Sequence, residues 1–199
     1  MRLLPCANPG KAGRKVTRGR DGRLRVGLLG SFPPQAQGIP AYCGELALAL
    51  ARRCDVHALG FRSMYPSVLF PGSSEAMDPT AEAPAAEGLN LRHALTWYNP
   101  AGWLWHAARL DVDVFHAQWW SLPTAPVVTA MLAAARARRV KRVVTVHNVM
   151  PHEKSRAFRT ATATVLRLAD GVVVHGRENA GRLREHYRLG ERPVRVVPH

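Results

Sequence analysis

Cysteine and acid are both in short supply in this sequence, and each shortage closes off a class of protein. The three cysteines, Cys6, Cys43 and Cys54, cannot all pair with one another and show neither CxxC nor zinc-finger spacing. A disulfide framework and a thiolate metal cage are thereby excluded, and a reducing, cytoplasmic setting is expected. Asp and Glu number 14 against 28 Lys and Arg, a formal charge of +14, which turns any electrostatic attraction towards anions. Long apolar runs are missing too. The longest candidate membrane segment, residues 125–135, is far short of the roughly 20 residues that cross a bilayer. The opening MRLLPCANPG lacks the apolar stretch of about 7 to 15 residues that a signal peptide needs, so membrane contact is expected to be peripheral. There is no internal repeat and no heptad pattern.

What remains is the material of a globular domain: 47% of residues are apolar and 21% charged, and a chain of this length can bury a real core. The charge is uneven. Residues 1–25 hold eight basic residues against Asp21 alone. Residues 1–22 therefore read as a basic, disordered arm, either a solvated terminus or a segment that an anionic membrane attracts. Nucleic acid is not an expected partner, since that reading rests on charge alone.

From Leu24 onward, short runs rich in Val and Leu alternate with longer segments of helical period, the pattern of βαβ units and a parallel sheet. Strands are expected over residues 24–30, 55–61, 113–117, 142–147, 171–175 and 194–197. The near-continuous apolarity of Val143 to Val146 and of Val172 to Val174 implies strands covered on both faces, hence helices on both sides of the sheet. Ile39, Tyr42, Leu46 and Leu50 share one helical stripe, as do Ala180, Leu183 and Tyr187, and residues 121–139 read as a helix ending near Arg139. Residues 62–90, rich in Pro, Ala, Ser, Gly and Glu, read as a long exposed loop.

In an open parallel sheet, ligands bind at the carboxyl ends of the strands, and each polar cluster of the sequence falls there. Residues 30–38, GSFPPQAQG, join the first strand to the first helix. Gly30, Ser31 and Gly38 suit an anion-binding loop, but the spacing is not GxGxxG and two prolines remove N–H donors, so a plain strand-to-helix turn stays open. Phe115-His116-Ala117-Gln118-Trp119-Trp120 pairs a histidine with two flat indoles that suit sugar faces or helix packing, one expected in a cleft and one in the core. Thr145 to Glu153, TVHNVMPHE, ends a buried strand in His147, whose ring should project into the crevice. Asn148, His152 and Glu153 share its loop, and Pro151 can open the next helix. HNVMPHE is not HExxH and shows no third ligand, so no metal is expected. His175 reads mainly as a helix start, and His57, His93, His106 and His186 carry no motif.

Taken in order, GSFPPxxxGIxxY (30–42), DVxHxQWW (113–120), TVHNVxPHE (145–153), ADGVVVHG (169–176) and VRVVPH (194–199) resemble the N-terminal domain of family 4 glycosyltransferases of GT-B architecture. The resemblance covers about residues 24–199 and implies a Rossmann-like half, residues 23–199, of a two-domain enzyme. Such an enzyme transfers sugar from a nucleotide-sugar donor to a glycan, lipid-linked or small-molecule acceptor, with retention of configuration and no cofactor or essential metal. It further implies His147 as the residue contacting donor sugar hydroxyls at the reacting centre, Gly30, Ser31 and Gly38 beside the donor diphosphate, and His116, Gln118, Trp119, Asn148, His152 and Glu153 along the acceptor cleft. The family's C-terminal donor-binding half has no counterpart in these residues, so the isolated chain is expected to be inactive until a separate C-terminal half is supplied. A cytoplasmic location, peripheral at the inner face of the membrane, is the matching expectation. A carbohydrate or lipid-head-group binding module without catalysis is the alternative.

Overall fold

Among the described residues, seven parallel strands and five helices follow one another in largely alternating order. The computed structural model describes residues 22–36, 38–64, 80–149 and 155–198. In order these are β1 (Leu24–Gly30), α1 (Gly38–Ala51), β2 (Cys54–Ser63), β3 (Leu89–Thr96), α2 (Pro100–Arg109), β4 (Val114–Trp119), α3 (Ala125–Ala137), β5 (Lys141–Val146), α4 (Arg156–Leu168), β6 (Gly171–Val174), α5 (Arg177–His186) and β7 (Val194–Val196), with a single 3-10 turn (Leu122–Thr124) leading into α3. The sheet runs β3-β2-β1-β4-β5-β6-β7, every neighbouring pair parallel.

This strand order decides where the helices lie. The chain steps from β1 outward to β3, crosses back to β4, and then steps outward again to β7. Right-handed crossovers put connections made in opposite directions on opposite faces. Accordingly, Cys43, Ala47 and Ala51 of α1 pack with Leu28, Val56 and Ala58, whereas buried residues of α2, α3, α4 and α5 share the other core with Leu29, Phe115, Ala117, Val144 and Val146. Helices cover both faces, as expected, but among the described residues one against four. Local sequence supports each element. In α2, Pro100 occupies the first turn and the Asn99 side chain caps the Gly102 N–H at 2.9 Å, satisfying an otherwise orphaned donor. In α4, Ser155 caps Phe158 N–H, and Phe158, Thr162, Val165 and Leu166 form the buried stripe.

Several expectations need correction. The segment 62–90 is not all loop: β2 continues through Ser63 and β3 begins at Leu89, while residues 65–79 lie outside the described residues. β3 lacks the continuous apolarity used to find the other strands because it is the sheet edge; Leu89 and Leu91 alternate with exposed Asn90 and Arg92. α2 was not anticipated either, its buried stripe being only Trp103 and Ala107. β4 extends to Trp119, past the expected end at residue 117. The 121–139 helix splits into the 3-10 turn and α3, which ends at Ala137, with Arg139 at φ 58. The basic arm through residue 21 and the Pro151 helix start lie outside the described residues, and α4 begins at Arg156. Among the described residues, no helix is long and apolar enough to cross a membrane.

The amino edge of the sheet is fastened by two matching clamps. Asp113, before β4, accepts from Arg25 N at 3.0 Å and from its guanidinium at 3.1 Å; Asp170, before β6, accepts from Arg142 N at 2.8 Å and from its guanidinium at 2.5 Å. The Asp113 side chain is only 3% exposed, so Asp113→Ala strips the part-buried Arg25 of its buried partner and leaves it only exposed Asp111. Urea denaturation should show a loss of about 3 kcal/mol. Asp111→Ala, which removes the exposed partner of the same Arg25, should cost less than about 1 kcal/mol.

Candidate functional site

Between β1 and β4 the chain reverses its direction of travel across the sheet, and helices on the two faces diverge there. Such a switch point leaves a crevice beyond the carboxyl ends of the strands. Strand register determines which side chains reach it. Leu28, His116 and Val143 are cross-strand partners, as are Gln118, Thr145 and Val173, so the alternation along each strand puts His116, Gln118, Thr145, His147 and His175 on the face that carries α1.

At the rim, His147 Nε2 lies 2.9 Å from Gln118 Oε1, and its backbone N–H donates to Trp119 O at 2.9 Å. Gln118 is fully buried, so the imidazole is anchored on a rigid strand. When Nε2–H donates in this bond, Nδ1 becomes the ring's acceptor nitrogen. Tyr42, from the second turn of α1, sets its ring 5.0 Å from His147 and 4.9 Å from His175. The two imidazoles lie 5.0 Å apart, and His175 Nδ1 is 2.9 Å from Val197 O. Burial raises the Tyr42 pKa, opposed by its hydrogen bond with Thr145. Tyr42, His147 and His175 are each part-exposed. Three rings from α1, β5 and β6 thus meet over Gln118 of β4. Sequence reasoning missed the parts played by Tyr42, His175 and Thr145; the repeated pattern of an apolar strand ending in histidine, at His147 and again at His175, was the available signal.

The first loop is held from within. Ser31 Oγ bonds Gln35 Oε1, and Gln35 Nε2 donates to Phe61 O at 2.8 Å. Gly30 is required for packing: a Cβ there would meet Cys43 Sγ at 2.9 Å and Gln118 Cγ at 3.1 Å, so its smallness lets α1 approach β4. Burial pushes the Cys43 thiol up to about 12, which makes it a packing group. Gly38 is exposed at the α1 start, with open space around it. Asn148 donates its amide to Trp120 O at 2.9 Å. His152 and Glu153 lie outside the described residues.

Trp119 is the clear correction. As an odd-numbered residue of β4 it faces the four-helix side, fully buried, with Nε1 donating to Thr162 Oγ1 at 3.0 Å and its ring against Phe158 at 5.6 Å. Trp120 is 7% exposed and packs edge-on against Phe61, so neither indole forms an open sugar platform. His116 sits one step below Gln118, its Nε2 2.8 Å from Thr145 Oγ1. Although part of the residue reaches solvent, desolvation of the ring lowers its pKa to about 4. Between that value and the ordinary 6.5 the unfolded chain takes up a proton that the native ring refuses. Stability should therefore be full above about pH 6.5 and fall as pH drops, by about 2 kcal/mol at pH 5. Comparing urea midpoints of wild type and His116→Asn at pH 7.5 and 5 isolates this contribution from that of His106, which burial also lowers.

Among the described residues, no group of three or more His, Cys, Asp or Glu could hold a metal ion. The assembly offers hydrogen-bond donors and acceptors, two imidazoles and a phenol, part-exposed at the strand ends, the equipment for gripping hydroxyls. Residues 36–199 match the family model described as Glycosyltransferase Family 4. A comparison with curated proteins returns no match.

Proposed function

The chain belongs to glycosyltransferase family 4, whose N-terminal domain it matches, and on that premise we propose that this domain forms one wall of a cleft for nucleotide-sugar transfer. The acceptor is a hydroxyl on a glycan, a lipid-linked sugar or a small molecule, and the product keeps the donor's anomeric configuration. As the acceptor oxygen bonds to the anomeric carbon, the bond to the diphosphate breaks, the hydroxyl proton passes to the departing diphosphate oxygen, and nucleoside diphosphate leaves. His147 grips donor sugar hydroxyls beside the breaking bond, Tyr42 and His175 fix its ring, and backbone amides near Gly38 face the diphosphate. A second Rossmann-like half, on the same or another polypeptide, supplies the nucleotide contacts. Reaction at the cytoplasmic face of an anionic membrane suits the basic residues 1–22.

The observation that carries this reading is the convergence of Tyr42, Gln118, His147 and His175 beyond the carboxyl ends of β4, β5 and β6, beside the switch point of the sheet. The test is incubation with isotopically labelled nucleotide sugars and acceptor extracts, with a family C-terminal half added in a second arm. Release of nucleoside diphosphate in step with a labelled product of retained configuration is the expected result. Acceptor binding without diphosphate release in both arms would instead identify a non-catalytic sugar-binding module.

A further inference from the structure

A second concavity lies at the other end of the strands from His147 and His175, where α2 rides over β2 and β3. It has a volume of about 370 Å³. Its floor is apolar, made by Leu59, Leu110 and Val112. Its walls carry Asn90 and Arg92 from the edge strand and Trp105, His106 and Arg109 from the last turns of α2. The cations are oriented by neutral neighbours: the Arg109 guanidinium lies 4.1 Å from the Trp105 ring centroid, and Arg92 Nε is 3.3 Å from Asn90 Oδ1. Asp111 is the one carboxylate on the lining, and it is engaged by Arg25. Neither Arg92 nor Arg109 forms an ion pair with a carboxylate among the described residues.

Two guanidinium groups gathered over an apolar floor, with an amide and an imidazole beside them, repel one another until an anion joins them. A low-dielectric floor strengthens the attraction for such an anion, and a guanidinium fork matches tetrahedral phosphate oxygens in geometry as well as charge. The charge crowding is already felt by His106, whose pKa is lowered first by burial and then by Arg92 and Arg109. We propose that the concavity between α2 and the β2–β3 edge is a second ligand site, which binds a phosphate-bearing group between Arg92 and Arg109. A soluble phosphate ester and a phospholipid headgroup share this chemistry. Trp105 on the lining is exposed, as are Arg92 and Arg109, so either source can reach the site.

The experiment has two arms, each comparing wild type with Arg92→Gln/Arg109→Gln. In the first, pyrophosphate is titrated and the His106 imidazole resonances are followed by NMR, with His57 as the other lining imidazole. In the second, flotation is measured with phosphatidylglycerol vesicles against phosphatidylcholine vesicles, with and without pyrophosphate. Residues 1–22 are present in both proteins, so their diffuse attraction cancels. Saturable pyrophosphate binding that shifts His106 and weakens at least about tenfold in the variant assigns a soluble ligand. Vesicle binding that is lost in the variant and displaced by pyrophosphate assigns a headgroup. Equal affinity of the two proteins in both arms, or no saturable binding in either, overturns the proposal. Both substitutions are at exposed positions remote from His147, so the variant should unfold at the wild-type temperature and, with the C-terminal half supplied, transfer sugar to a soluble acceptor at the wild-type rate.

Discussion

His147→Ala should slow sugar transfer by roughly 10²- to 10⁴-fold, with little change in unfolding temperature. The ring stands at a strand end, part-exposed, so its removal opens no cavity in either core. What is lost is a rigid contact. Gln118 is fully buried and holds the imidazole at 2.9 Å, while Tyr42 and His175 limit its rotation from two sides. A group held this firmly bonds the reacting sugar without first having to be ordered, and that advantage is concentrated in kcat. His147→Gln can restore a hydrogen bond to Gln118 without restoring the imidazole. It should therefore match wild type in stability but not recover turnover. The measurement is kcat and KM for the donor, with the C-terminal half supplied if transfer requires it. Turnover equal to wild type would remove His147 from the reaction and leave the ring cluster as a packing device.

Trp119→Ala should cost about 3–5 kcal/mol of folding stability. That is a large part of the roughly 5–15 kcal/mol that holds a typical domain together. The indole is fully buried, stacks on Phe158 and donates to Thr162, so truncation empties a volume between β4 and α4 that rigid neighbours cannot fill. Trp119→Phe keeps much of that volume and loses the single hydrogen bond, for about 1 kcal/mol. Urea denaturation followed by circular dichroism separates the two variants. A Trp119→Ala protein of wild-type stability but reduced acceptor affinity would return this side chain to the cleft.

Trp119 also shows where sequence reading reached its limit. The run of adjacent indoles was visible, but which face each takes depends on register. The apolar run places the end of β4 at residue 117, and only the pairing of Gln118 with Thr145 and of Trp119 with Val146 settles the alternation. The central strands and the motifs at their ends were legible because burial on both faces leaves an unbroken apolar signature. β3 and α2, at the margin of the sheet, have only half their surface covered and leave a diluted one. His147 could be located because it ends such an apolar run. Tyr42 could not be assigned to the site, since a helical stripe says that a residue faces the sheet but not which strand end it leans over. The cation-lined hollow beneath α2 was equally invisible: Arg92 and Arg109 are seventeen positions apart in sequence, and His106 belongs to no motif.

The two imidazoles hang from strands that are hydrogen-bonded on either side, β5 between β4 and β6, and β6 between β5 and β7. Lengthening or rewriting the connections beyond them leaves those anchors undisturbed. Descendants of this scaffold can therefore edit peripheral segments while inheriting the same paired imidazoles in the same pose.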